Sequence, residues 1–378
     1  MERRRHGSPC HAHYIHRMRL QSLDIFRGMT IVAMLLVNFQ DSFPAIYPPL
    51  AHSYWDGCTL ADTIFPCFLF IVGVTLHISM SGRRARGATD RELALQIVRR
   101  GAIFVLLGLF LSAFPFFPEE RLTALRIPGV LQRIGAAYVL AALLCLKTTA
   151  RQQAGIIAAA LIGYWLVLRL YPLDDPHQTL AARVDRYLLG GHIARKGWDA
   201  MGVLPTLPAA MTVMLGSLGG RWLTAPAGLR ARVAGLLAAG AAGIALGAAW
   251  EPWFAWNRSL YSSSFALFTA GVAAVVLAAC VWIVDLKGWR RWGAPFLIFG
   301  ANPIAAYVGS TMMGHLLYHV SRTGDDGART SALQLLYTRL FASWLSPLNA
   351  SLAFALAAVA LWLVLLYPLH RRGIFLKV

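Results

Sequence analysis

Ten apolar stretches divide this chain, near residues 22–41, 60–80, 98–115, 128–146, 153–171, 203–221, 232–250, 261–284, 294–318 and 350–369. Each approaches the ~17–25 residues that a helix needs to cross a bilayer. Lipid offers no hydrogen-bond partner to a bare backbone, so segments of this kind must satisfy their own N–H and C=O groups as helices. The expected fold class is therefore all-α, a polytopic integral membrane protein with about ten transmembrane helices. Composition agrees: 57% of residues are hydrophobic and 14% are charged, against about 25% charged in soluble domains.

The net charge of +18 raises nucleic acid as a partner, and the pattern of that charge argues against it. Lysines and arginines fall in short clusters between apolar runs, as in the cytoplasmic loops of membrane proteins. With the N-terminus placed inside, about 22 basic residues fall on the inner side and about 10 on the outer. Both termini are then cytoplasmic, which an even number of spans permits. Residues 1–19 are basic, aperiodic and contain four histidines, and are read as a disordered solvated tail. Residues 20–378 are read as a single transmembrane domain. The five cysteines show neither metal-ligand spacing nor a disulfide framework, so no metal is expected. No phosphate-binding loop or GxSxG elbow is present. Residues 331–345 have a helical apolar spacing broken by Arg339 and read as an amphipathic helix on the outer interface. The small-residue pairs Gly216…Gly220 and Gly243…Gly247 mark close helix contacts and permit a homodimer.

Costly polar residues converge on the expected outer face. Asn38 ends the first span, His52 and Trp55 lie in the loop that follows, and Asp62 opens the second span. An ionisable residue inside a span is a functional-site hypothesis by default. Arg126 and Arg133 are seven residues apart, which places them on one helix face, and a buried Arg133 would take Asp62 as its anionic partner. Asn257, Arg258, Ser259 and Tyr261 open the eighth span. Each has a structural reading too: an ion pair for Asp62 and Arg133, a helix cap for Asn38, interface anchors for Tyr54 and Trp55. Functionally, imidazole can accept a proton near neutral pH or carry an acyl group. Asp62 or Asp56 would orient it, and Asn38 would hydrogen-bond an oxyanion. On the expected inner face stand Asp285, Lys287, Arg290, Asn302 before a proline, and Tyr307. A basic rim there can receive a phosphorylated donor, although any such protein has basic inner loops.

Three of these segments carry a family resemblance: S-L-D-I-F-R-G-M-T-I-V-A-M-L-L-V-N (22–38), H-S-Y-W-D-G-C-T-L-A-D-T-I-F-P-C-F-L-F (52–70) and R-I-P-G-V-L-Q-R-I-G-A-A-Y (126–138). Together with D-R-Y-L-L-G (185–190), G-V-L-P-T-L-P-A (202–209), N-R-S-L-Y-S-S-S-F (257–265), D-L-K-G-W (285–289) and R-R-G-I-F (371–375), they resemble the heparan-α-glucosaminide N-acetyltransferase family and its bacterial relatives. The resemblance follows family order and covers the chain after the tail. It implies a membrane acetyltransferase that takes acetyl-CoA from the cytosol and acetylates an amino sugar or glycan on the far side. It places the family's active-site histidine on His52, its helix-ending asparagine on Asn38 and its following aspartate on Asp62. In the lysosomal enzyme the acceptor is the terminal glucosamine of heparan sulfate.

The chain departs from the family pattern in three places. The loop 38–52 is Pro-rich and longer, Met201 replaces an acidic residue in W-D-A-M-G, and Tyr261-Ser262 replaces W-T. No large domain is expected before the first span. The expectation is a bacterial inner-membrane protein with an acceptor other than heparan sulfate. The expected set is His52, Asn38 and Asp62 in catalysis; Trp55, Arg126, Arg133, Asn257, Ser259 and Tyr261 on the acceptor; Asp285, Lys287, Arg290, Asn302 and Tyr307 on acetyl-CoA. A transporter or flippase of an envelope sugar or lipid-linked intermediate is the alternative, since broken helices and intramembrane charges serve there too.

Overall fold

The computed structural model describes residues 20–117, 120–123, 125–193, 197–323 and 329–376; the tail at 1–19, expected to be disordered, lies outside them. The chain runs through α1 (Gln21–Gln40), α2 (Leu60–Arg84), α3 (Asp90–Ala113), α4 (Val130–Lys147), α5 (Ala150–Leu168), α6 (Leu180–Leu189), α7 (Thr206–Leu223), α8 (Leu229–Trp250), α9 (Ser263–Cys280), α10 (Ala294–Ala301), α11 (Pro303–His319), α12 (Ala332–Tyr337) and α13 (Pro347–Arg371). Threonine capping boxes start α2, α3 and α5, each satisfying N-terminal N–H groups with its own side chains. One short antiparallel pair, Ser321–Thr323 with Arg329–Ser331, interrupts the helical pattern among the described residues.

Among the described residues, eight helices are long and apolar enough to cross a membrane, and nine spans result if α10 and α11, bent by 72°, count as one. The expected tenth, α7, has 18 residues but does not meet that apolar measure. Its surroundings explain why. Residues Pro208 to Met214 are all buried, and α7 packs on α2, α4, α5, α8 and α9. A helix wrapped by protein rather than lipid can keep Thr212 and Ser217 without exposing them to hydrocarbon. The main apolar cluster draws Leu35, Leu69, Ile134, Met211 and Ala355 together from five helices.

The glycine pairs read from the sequence do mark close approach. A Cβ on Gly216 would stand 2.1 Å from the Phe70 carbonyl oxygen, at the α2–α7 crossing. Gly243 and Gly247 meet Gly271 and Phe268 where α8 crosses α9. Gly216→Val is therefore expected to lower stability by at least about 2 kcal/mol through overpacking. Gly163→Val, where nothing lies within 4 Å, should leave the thermal midpoint nearly unchanged; equal midpoints for the two variants would contradict this packing.

The amphipathic segment expected at 331–345 is shorter as a regular helix. It covers α12 and then widens into a π-turn to Ala342. Leu333 and Tyr337 face inward, with Tyr337 stacked on Phe43 at 3.9 Å, while Leu336, Leu340 and Trp344 are exposed.

Candidate active site

The site is built on the N-terminus of α2. Thr59 is the N-cap, and Asp62, three residues on, turns its carboxylate back to accept from the Thr59 N–H (3.0 Å) and hydroxyl (3.1 Å). The same oxygen accepts from the Ser53 N–H (3.2 Å) and hydroxyl (2.8 Å). Gly57, at φ 111°, makes the turn that folds the loop over the helix start, and its N–H donates to the Trp256 carbonyl. Four donors and a helix N-terminus thus hold Asp62, which has no exposure to solvent.

The other Asp62 oxygen faces two cations or potential cations. His52 Nδ1 lies 2.8 Å from it, and Arg258 Nε lies 3.2 Å away as an ion-pair contact. A carboxylate can only accept, so Nδ1 carries the proton and donates it to Asp62. That leaves Nε2 as the basic nitrogen of His52. Asp41 Oδ2 stands 3.7 Å from Nε2; burial pushes the Asp41 carboxyl above its ordinary range, against the opposing charges of His52 and Arg258. A proton gained at Nε2 would sit between two acidic groups.

These residues border a cavity of about 320 Å³, whose lining includes the polar Asn38, Asp41, His52, Asp62, Arg126, Arg133, Arg258 and Tyr307 and the apolar Met34, Val37, Ile64, Phe65, Val130 and Met201. That volume is at the small end of ligand sites. Asn38 is exposed to the cavity two residues before the end of α1, whose C-cap is Asp41, so it does not cap the helix.

Several sequence expectations are corrected by this geometry. The guanidinium against Asp62 belongs to Arg258, not to Arg133. Arg133 is buried on α4 and donates through Nη2 to the Gly202 carbonyl at 3.2 Å. Arg126 does not share a helix face with it, because α4 begins at Val130; Arg126 grips Asp199 through Nε at 2.7 Å and Nη2 at 2.5 Å. Asp56 bridges to Asn257 instead of orienting the imidazole. Asn257, Ser259 and Tyr261 are buried and lie outside the cavity lining. Asn257 accepts from the Leu260 N–H and donates to Asp56, and Tyr261, at φ 49°, donates its hydroxyl to Thr212. They shape the turn that presents Arg258. Trp55 is buried with its Nε1–H donated to the Leu173 carbonyl and its ring edge-on to Trp198, and it lies outside the cavity lining.

The group assigned to acetyl-CoA separates. Tyr307 lines the His52 cavity. Asn302, fully buried at the α10–α11 break, donates Nδ2 to the Ile374 carbonyl (3.0 Å) and accepts from the Leu376 N–H (2.8 Å). Asp285 packs against Gln21 and Ser22 in the first turn of α1, a favourable place for a carboxylate. Lys287 and Arg290 remain exposed. Sequence reasoning missed Asp41 and Asp199 and left Arg258 without a partner.

A model of the family described as heparan-alpha-glucosaminide N-acetyltransferase, catalytic, matches residues 19–240. The heparan-alpha-glucosaminide N-acetyltransferase of Mus musculus is 26% identical over 422 aligned positions, and that of Homo sapiens 26% over 425. Each alignment takes in 95% of this chain and 60% of the relative, so the chain spans about three fifths of the length of these mammalian proteins.

Proposed function

The chain belongs to the heparan-α-glucosaminide N-acetyltransferase catalytic family, and on that footing we propose that it is a transmembrane acetyltransferase moving an acetyl group from acetyl-CoA to an amino sugar. The observation that carries this reading is the Asp62–His52 pair on the wall of a cavity of about 320 Å³, with Nε2 beyond hydrogen-bond distance of Asp41, 3.7 Å away. The acceptor amine attacks the thioester carbonyl while Nε2 takes its proton; a C–N bond forms, the C–S bond breaks, and the proton is returned to the departing thiolate. Asn38 donates its amide N–H to the developing oxyanion. Arg258 fixes Asp62 and so the imidazole.

In this proposal the donor enters from the cytoplasmic side, where Lys287 and Arg290 meet its phosphates, and the His52 end faces outward. Both termini are then cytoplasmic, in a bacterial inner membrane. The test uses purified protein, labelled acetyl-CoA and a panel of amino sugars. Label is expected on a sugar. Label retained on the protein would replace base catalysis by an acetyl-histidine route. A donor that neither binds nor turns over would sink the reading and favour a transporter.

A further inference from the structure

A second hollow, of about 410 Å³, adjoins the catalytic cavity and shares Arg133 and Met201 with it. Its walls differ in character. On α4, Gln132, Ala136 and Leu140 recur at four-residue spacing and form one stripe. Across from them stand Val203, Leu204 and Leu207 at the start of α7. Leu140, Val203 and Leu207 are each more than a third exposed, although they belong to, or adjoin, helices of a bundle that sits in lipid. The stripe from Gln132 to Leu140 runs about 12 Å along the helix axis, at about 1.5 Å per residue.

At the junction of the two hollows Arg133 is 2% exposed. Its Nη2 is bonded to Gly202, and its Nε and Nη1 are buried with no hydrogen-bond partner among the described residues. A buried guanidinium with two unpartnered donor nitrogens is a costly feature in a folded protein. It becomes intelligible if a bound molecule supplies oxygens there.

Building on the acetyltransferase reading, we infer that the acceptor is a lipid-borne amino sugar. Its sugar occupies the His52 cavity, its hydrocarbon chain lies in the groove between α4 and the start of α7, and the oxygens joining the two accept from Arg133. The argument is one of adjacency: a polar cavity with a basic nitrogen and an apolar trough with exposed walls share Arg133 and Met201, and the arginine at that shared wall keeps buried nitrogens without a hydrogen-bond partner among the described residues. A water-soluble sugar would leave that trough and those two donors unused.

The test has two independent readouts. In the first, glucosamine and its methyl, hexyl and decyl glycosides are compared as acceptors for the purified wild-type protein in bilayer nanodiscs. KM is expected to fall at least about tenfold from methyl to decyl, given the gain from each buried methylene. In Ala136→Trp and Leu207→Trp, which fill the trough from opposite walls, the decyl-to-methyl advantage should shrink by a similar factor. The second readout needs no turnover: a decyl glucosaminide with a diazirine at the chain end is photolysed with the wild-type protein. Labelling concentrated in 128–140 and 203–207, and competed by unlabelled decyl glucosaminide, supports the groove. Labelling spread over all lipid-facing helices, or KM values independent of chain length, overturns it. Absence of transfer to every acceptor would count against the acetyltransferase reading alone, since the labelling pattern still decides the groove.

Discussion

His52→Ala is expected to lower acetyl transfer by about 10²–10⁴-fold, the usual contribution of a positioned general base, while leaving the thermal midpoint close to wild type. The separation of the two effects follows from geometry. The His52 side chain is partly exposed, at 23%, on the wall of the cavity. Removing it takes one contact from Asp62, which keeps its four bonds from Thr59 and Ser53 and its ion pair with Arg258. The α2 capping box therefore survives, and with it the packing of α2 on α7. What is lost is the basic nitrogen at the cavity wall, together with its 3.7 Å approach to Asp41. Initial rates with labelled donor, beside size-exclusion and thermal-unfolding profiles, check the prediction. Partial recovery by added imidazole would strengthen it, because the vacated volume opens to the cavity. Turnover near the wild-type rate would remove His52 from the chemistry.

The helical spans were legible because lipid makes a strong demand on sequence: about twenty apolar residues, few charges and small residues where helices touch. That same demand explains the weakest signal. The stretch of α7 from Pro208 to Met214 is buried among five neighbouring helices, so its residues answer to protein packing and not to hydrocarbon. The local part of the site was also readable, since an ionisable Asp62 at the opening of a span, ten residues after His52, marks a functional place. Which charge meets which was not. Asp62 finds Arg258 across 196 positions and passes over Arg133, while Arg126 finds Asp199. Such pairings are decided by how distant loops stack, and no periodicity records that. The bridge between Asp56 and Asn257 is the device that brings the two loops together, and as sequence it is only two ordinary polar residues. Tyr307 shows the same effect from the other side. Assigned by its place after a broken helix to one end of the molecule, it reaches the His52 cavity, because the bend at Asn302 redirects α11.

Asp62→Asn is the sharpest test of how the site is held, and it should damage both activity and stability for separable reasons. The side-chain volume hardly changes. The charge goes, however, and Arg258 is left without its carboxylate in a mostly enclosed position; breaking a buried pair from one side costs about 3 kcal/mol or more. The amide must also present either its oxygen or its NH₂ to His52. With Thr59 and Ser53 donating to one position, the oxygen is drawn there and the NH₂ turns to Nδ1. Nδ1 then accepts, the proton moves to Nε2, and the basic nitrogen no longer faces the substrate. In a triad that change of tautomer lowers turnover by up to about 10⁴-fold, and a similar loss is expected here. The double variant Asp62→Asn with Arg258→Met separates the two effects. It removes the stranded charge, so the thermal midpoint should recover most of what the single variant lost. Transfer should stay low, because the imidazole is still held in the wrong tautomer. A double variant that regains both stability and turnover would make Asp62 a structural anchor for the loop and leave His52 to find its orientation elsewhere.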